Sequence, residues 1–112
     1  MKNATTRDFL EEIEHGEAYV RYGRKDYFIN GCQCEVDENE EILSCIMNIQ
    51  NLTDGGVIWA IERKTPGEAM DAFLSEPLID GKSFWQLEPD LEWTDGPENV
   101  SEKGPSSRKT SS

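Results

Sequence analysis

The sequence predicts an α+β domain: a helix at the N-terminus, a mostly antiparallel sheet of about four to five strands built from hairpins, and a second helix after the sheet. Three observations carry that reading. Phe9, Leu10 and Ile13 recur at helical spacing between a threonine and a glycine. Runs of β-branched and aromatic residues then follow in pairs around short turn sequences. Finally, Thr65-Pro66-Gly67-Glu68 joins an N-cap, a proline at the first helical position and a glutamate three residues after the cap.

Taken in order, Thr5 or Thr6 caps the first helix and Gly16 ends it, which leaves Asp8, Glu11, Glu12 and Glu14 mostly on its wet side. EAYVRY and DYFINGC flank Gly23-Arg24-Lys25 and form a hairpin. ILSCIMNIQ, Ile42 to Gln50, is short and β-branched, so it is read as a strand with Leu43, Cys45, Met47 and Ile49 on one face. Thr53-Asp54-Gly55-Gly56 turns the chain into VIWAIERK, a second hairpin. The second helix carries Ala69, Met70, Phe73 and Leu74 as an apolar stripe, and Pro77 stops it. Leu78 to Lys82 form a turn, Ser83 caps a short helical piece with Phe84, Trp85 and Leu87, and Leu91-Glu92-Trp93 is a terminal strand.

Residues 1–95 are therefore read as a single acidic domain and residues 96–112 as a disordered tail. The tail has no large apolar residue except Val100, so it offers nothing to offset the entropy of ordering. Lys103, Arg108 and Lys109 against Glu98 and Glu102 give the tail a charge of +1, so with a formal charge of −12 on the whole chain the part that folds carries −13. Such a field repels phosphates and anionic lipid, which excludes direct nucleic-acid binding and favours a basic protein as partner. No run approaches the roughly 20 apolar residues of a membrane span, and no apolar leader follows Met1. The expected location is cytoplasmic. Three cysteines, an odd number, argue against a disulfide framework and fit a reducing compartment.

The stretch GCQCEVDENEE puts two thiols beside five carboxylates. A zinc site would need Cys32, Cys34, Cys45 and His15, but C-x-C is tighter than the usual knuckle spacing and no second knuckle follows. Calcium fails as well, because an EF-hand loop beginning at Asp37 has Ile42 where glycine is required and Asn48 where a bidentate glutamate belongs. No metal or other cofactor is expected. His15, the one histidine, sits where it complements the dipole of the first helix, and no nucleophile elbow, phosphate loop, dinucleotide fingerprint or metalloprotease motif occurs. The chain is accordingly read as a binding protein and not an enzyme.

Three acidic clusters remain. Glu35, Asp37, Glu38, Glu40 and Glu41 form the leading candidate for partner binding, Glu11, Glu12 and Glu14 the second, and Asp90, Glu92 and Asp95 a third. In size, charge and architecture the chain resembles the small acidic inhibitors encoded by phages and mobile elements, of the anti-CRISPR or DNA-mimic type. That resemblance implies inhibition of a basic nucleic-acid-binding protein, a CRISPR nuclease or another bacterial defence factor, by occupation of its nucleic-acid site. The alternative from another class is an immunity protein or regulatory adaptor that binds through exposed aromatics such as Trp85 and Trp93.

Because the tail lacks apolar surface, truncation after Asp95 is expected to leave the melting temperature nearly unchanged in a calorimetric scan. A large drop would mean that the tail docks on the domain.

Overall fold

The computed structural model describes residues 1–96, so the expectation of a disordered tail falls, beyond Gly96, outside the described residues. The order of elements is α1 (Thr6–His15), β1 (Glu17–Tyr22), β2 (Lys25–Val36), β3 (Ile42–Asn51), β4 (Val57–Arg63), α2 (Pro66–Ser75), α3 (Phe84–Leu87), a 3-10 turn (Glu88–Asp90) and β5 (Glu92–Thr94). All strand pairings are antiparallel, in the order β4-β3-β2-β1-β5. The α+β architecture is the one the sequence predicts.

Local chemistry sets the helix boundaries. The Thr5 hydroxyl accepts from the Asp8 amide at 3.2 Å and starts α1, and the Thr65 hydroxyl accepts from the Glu68 amide at 3.1 Å and starts α2. The chain leaves β4 at one edge of the sheet, crosses its face as α2 and α3, and adds β5 to the opposite edge beside β1. α1 packs on β1 and β2, while α2 packs on β2, β3 and β4. Ala18, Val20, Tyr27, Ile29, Met47, Ile49 and Trp59 are buried on the helix side. The alternate residues Tyr19, Phe28, Asn30, Asn48 and Gln50 are half-buried on the uncovered face.

A continuous row of aromatic rings joins the two sheet edges through the helix layer. Trp93 meets Phe9 edge-on at 5.4 Å, Phe9 stacks with Phe84 at 6.2 Å, Phe84 touches Phe73 at 5.4 Å, and Phe73 meets Trp59 at 5.9 Å. Phe9, Phe73 and Phe84 are fully buried. Trp93 therefore anchors β5 to the core, which corrects the expectation that it is an exposed aromatic. At the β4 end, Glu76 accepts from Trp59 Nε1 at 3.2 Å and pairs with Arg63 at 2.8 Å, fixing the end of α2 to the strand.

β2 differs from its sequence expectation in length, because the pairing continues through Val36 and does not stop at Cys32. The register of β2 on β3 shifts between Asn30 and Gln33, and this bulge changes which residues face the helices. Tyr27 and Ile29 are buried before it and Gly31 within it, whereas Cys32 and Cys34 are the pair turned toward Cys45 past Gly31. At the bulge the backbone of α1 comes very close: a Cβ on Gly31 would lie 1.8 Å from the carbonyl oxygen of Gly16 and 2.1 Å from that of Ile13.

Gly31→Ala is expected to lower stability by about 3 kcal/mol, the upper end of the usual overpacking cost, because the obstruction is backbone and cannot swing aside. Gly23→Ala, at a turn residue with φ of 67° and no atom within 4 Å of the added carbon, should cost only about 1 kcal/mol. Urea unfolding of both variants tests the difference, and equal costs would contradict the close approach of α1.

Candidate partner-binding surface

β1 pairs with β2 only as far as Glu17 opposite Asn30, and β4 pairs with β3 only as far as Arg63 opposite Cys45. Beyond those points β2 and β3 are bonded to each other alone, so residues 35–44, above the Cys34–Cys45 pair, form a two-stranded arm that leaves the sheet. The acidic cluster of GCQCEVDENEE is the tip of this arm. Glu35, Glu38, Glu40 and Glu41 are exposed.

Asp37 is half-buried and shapes the turn: its Oδ1 accepts from the amides of Asn39 at 2.8 Å and Glu41 at 2.9 Å. Its backbone amide also donates to the carbonyl of Glu41 at 2.9 Å, which closes the loop. Glu40 takes a φ of 64° within this turn, a left-handed conformation uncommon outside glycine and asparagine. The turn therefore holds Glu38, Glu40 and Glu41 in one arrangement on a short loop.

Carboxylates are only part of the arm. Val36, Ile42 and Leu43 are 45 to 57 % exposed on it, and Ile46, in the sheet body opposite Glu62 of β4, is 42 % exposed just below its root. Leu43, expected on one face with Cys45, Met47 and Ile49, is exposed, because the strand pairing that flanks those three ends at Cys45 opposite Arg63. The arm thus sets exposed aliphatic side chains beside its carboxylates.

The second acidic cluster lies elsewhere on the helix layer. Glu11 and Glu14 of α1 and Asp71 of α2 rim a groove of about 560 Å³ between the two helices, over Leu10, Met70 and the 55 % exposed Trp85. Arg7 also lines it. Glu12 is exposed on α1 but does not line the groove. The structure thus brings Trp85 together with Glu11 and Glu14, a juxtaposition that no local pattern announces. Of the third cluster, Glu92 lies in β5 opposite Arg21, at the sheet edge away from β4.

The root of the arm holds all three cysteines. Cys34 and Cys45 are cross-strand partners with Cα atoms 4.0 Å apart, and they form a disulfide. This corrects the expectation drawn from the odd cysteine count: antiparallel register places two thiols face to face whatever the total. Cys32 is the free thiol, half-buried, with its Sγ 3.9 Å from the carbonyl oxygen of Pro66. Burial pushes its pKa up, and the carboxylate of Glu14 pushes it further in the same direction. The three sulfurs lie within 4.8 Å of one another, the one metal-ligating group of this kind among the described residues, and His15 is not part of it. No protein-family model, curated protein or solved structure matches this chain.

The disulfide closes a short loop around the acidic turn, so its reduction is expected to destabilise the domain by about 2 to 3 kcal/mol. Denaturant melts with and without a reductant measure this directly. Identical midpoints would show that the arm is held by strand pairing alone.

Proposed function

We propose that this protein is an acidic inhibitor that binds a basic nucleic-acid-handling protein, with the β2–β3 arm occupying the groove that nucleic acid would use. The observation that carries the reading is the arm itself, a stapled hairpin that projects past its neighbouring strands and displays Glu35, Glu38, Glu40 and Glu41 beside Val36, Ile42 and Leu43. In a basic groove the carboxylates take the places of phosphates, accepting charge-assisted hydrogen bonds from lysine and arginine. The aliphatic side chains cover the apolar stems of those same residues. No catalytic step is assigned to the protein in this reading. Its effect is steric and electrostatic exclusion, and the net charge of the folded part speeds encounter with a basic target.

A second reading is favoured by one specific observation, the exposure of Trp85 beside the acid-rimmed groove. An immunity protein or adaptor would anchor through that ring and use Glu11, Glu14 and Asp71 as the charged rim. The two readings differ in salt dependence, since phosphate mimicry weakens steeply with ionic strength and an aromatic anchor does so only slightly.

The test uses purified basic nucleases, CRISPR effectors and bacterial nuclease toxins among them, with inhibition of DNA cleavage and competition against duplex DNA as readouts. Replacing Glu35, Glu38, Glu40 and Glu41 together by glutamine should keep the melting temperature within a few degrees, as exposed substitutions do. It should weaken inhibition at least about 100-fold, which is the loss of roughly two charge-assisted bonds. Simultaneous binding of DNA and this protein to the target would refute occupation of the groove. Full activity of the glutamine variant together with loss of activity in Trp85→Ala would establish the second reading instead.

A further inference from the structure

Neither reading of the binding surface uses Cys32. A thiol serving only as packing has no need to meet two others, yet the bulge at Gly31 turns Cys32 to the same side as Cys34, and strand register sets Cys45 opposite. Cys45 is fully buried, Cys32 half-buried and Cys34 exposed, so the cluster is walled on one side and reachable from the other. The geometry points to a metal site: once the Cys34–Cys45 bond is reduced, Cys32, Cys34 and Cys45 form a three-thiolate centre for one copper(I) ion.

The distances fit a small soft cation. A metal–sulfur bond of about 2.3 Å, the length zinc makes to thiolate, places three sulfurs in a trigonal plane about 4 Å from one another. The sulfurs here already lie within 4.8 Å, so the widest separation needs to close by less than about 1 Å while the bonded pair opens. Donor chemistry chooses the ion. Thiolate sulfur favours copper(I), zinc and iron–sulfur clusters, and structural zinc almost always takes four protein ligands. Among the described residues no histidine nitrogen or carboxylate oxygen joins the three sulfurs within 4.8 Å, and His15 stands exposed at the end of α1. Copper(I), which is satisfied by three thiolates, matches the set that is present.

The chemistry balances in two stages. A phosphine or dithiol reductant delivers two electrons, and with two protons the disulfide becomes two thiols. Copper(I) then displaces the thiol protons, which pass to solvent, and no electron moves in that binding step. The site lies at the root of the arm, so the same ion would cross-link β2 to β3 in place of the disulfide. The assignment is independent of which partner the arm engages.

The test uses the full chain, reduced with a phosphine that is removed under anaerobic conditions. It is titrated with copper(I) acetonitrile complex against bathocuproine disulfonate, with stoichiometry read by native mass spectrometry. One copper per chain is expected, with at least 100-fold weaker retention in Cys32→Ser and in Cys34→Ser, both checked by circular dichroism for an intact fold. Cys45 is left in place because its buried position makes a folding defect the obvious consequence. Oxidised protein should retain none. Failure of the reduced chain to hold copper against the chelator would overturn the proposal, as would equal retention by Cys32→Ser, which would leave a two-thiol contact only. Displacement of the copper by equimolar zinc would overturn the choice of ion.

Discussion

The pairing of β2 with β3 is the constraint on which the rest of the molecule depends. Both strands are longer than their outer neighbours, β1 and β4, so the sheet has a five-stranded body and a two-stranded extension. Backbone hydrogen bonding alone would let such an extension bend freely. Here it is fixed at its root by the cross-strand disulfide and at its tip by the carboxylate of Asp37 bonded to two amides. A charge cluster on a held hairpin loses less conformational entropy on binding than the same cluster on a free loop.

The bulge at Gly31 links the body to the arm. It marks where pairing with β1 ends, where the C-terminal turn of α1 rests on the strand, and where the alternation of side chains changes phase. One glycine thus serves packing and display together. Without a side chain at that position the helix seats directly on the backbone, and beyond it the inward positions become Cys32 and Cys34 in place of core aliphatics.

The helix layer contributes stability and a second surface. Its row of rings from Trp93 to Trp59 spans the sheet and ties the late β5 strand to the same core as β4. Trp85 is excluded from that row although it neighbours Phe84 in sequence and meets it edge-on at 5.1 Å. Its exposure above Leu10 and Met70 leaves an apolar floor inside an acidic rim, so the domain carries two distinct surfaces of one charge sign.

Local sequence determined much of this fold. Threonine caps before Phe9 and Ala69, a glycine between EAYVRY and DYFINGC, and the Asp-Gly-Gly turn before VIWAIERK act within a few residues, and each produced the element it predicts. The acidic clusters were legible too, because charge is a property of composition. What the tertiary structure decided was which of those residues meet. Cys34 and Cys45 pair because antiparallel register sets them opposite, Trp93 packs half-buried against Phe9 because a crossover carries β5 to the far edge, and Asp37 turns inward because the loop amides converge on it. The exposure of Val36, Ile42 and Leu43 depended on where β1 and β4 stop. Strand ends and crossovers are set by packing between distant segments, and a periodicity read along one segment carries no information about where its neighbours end.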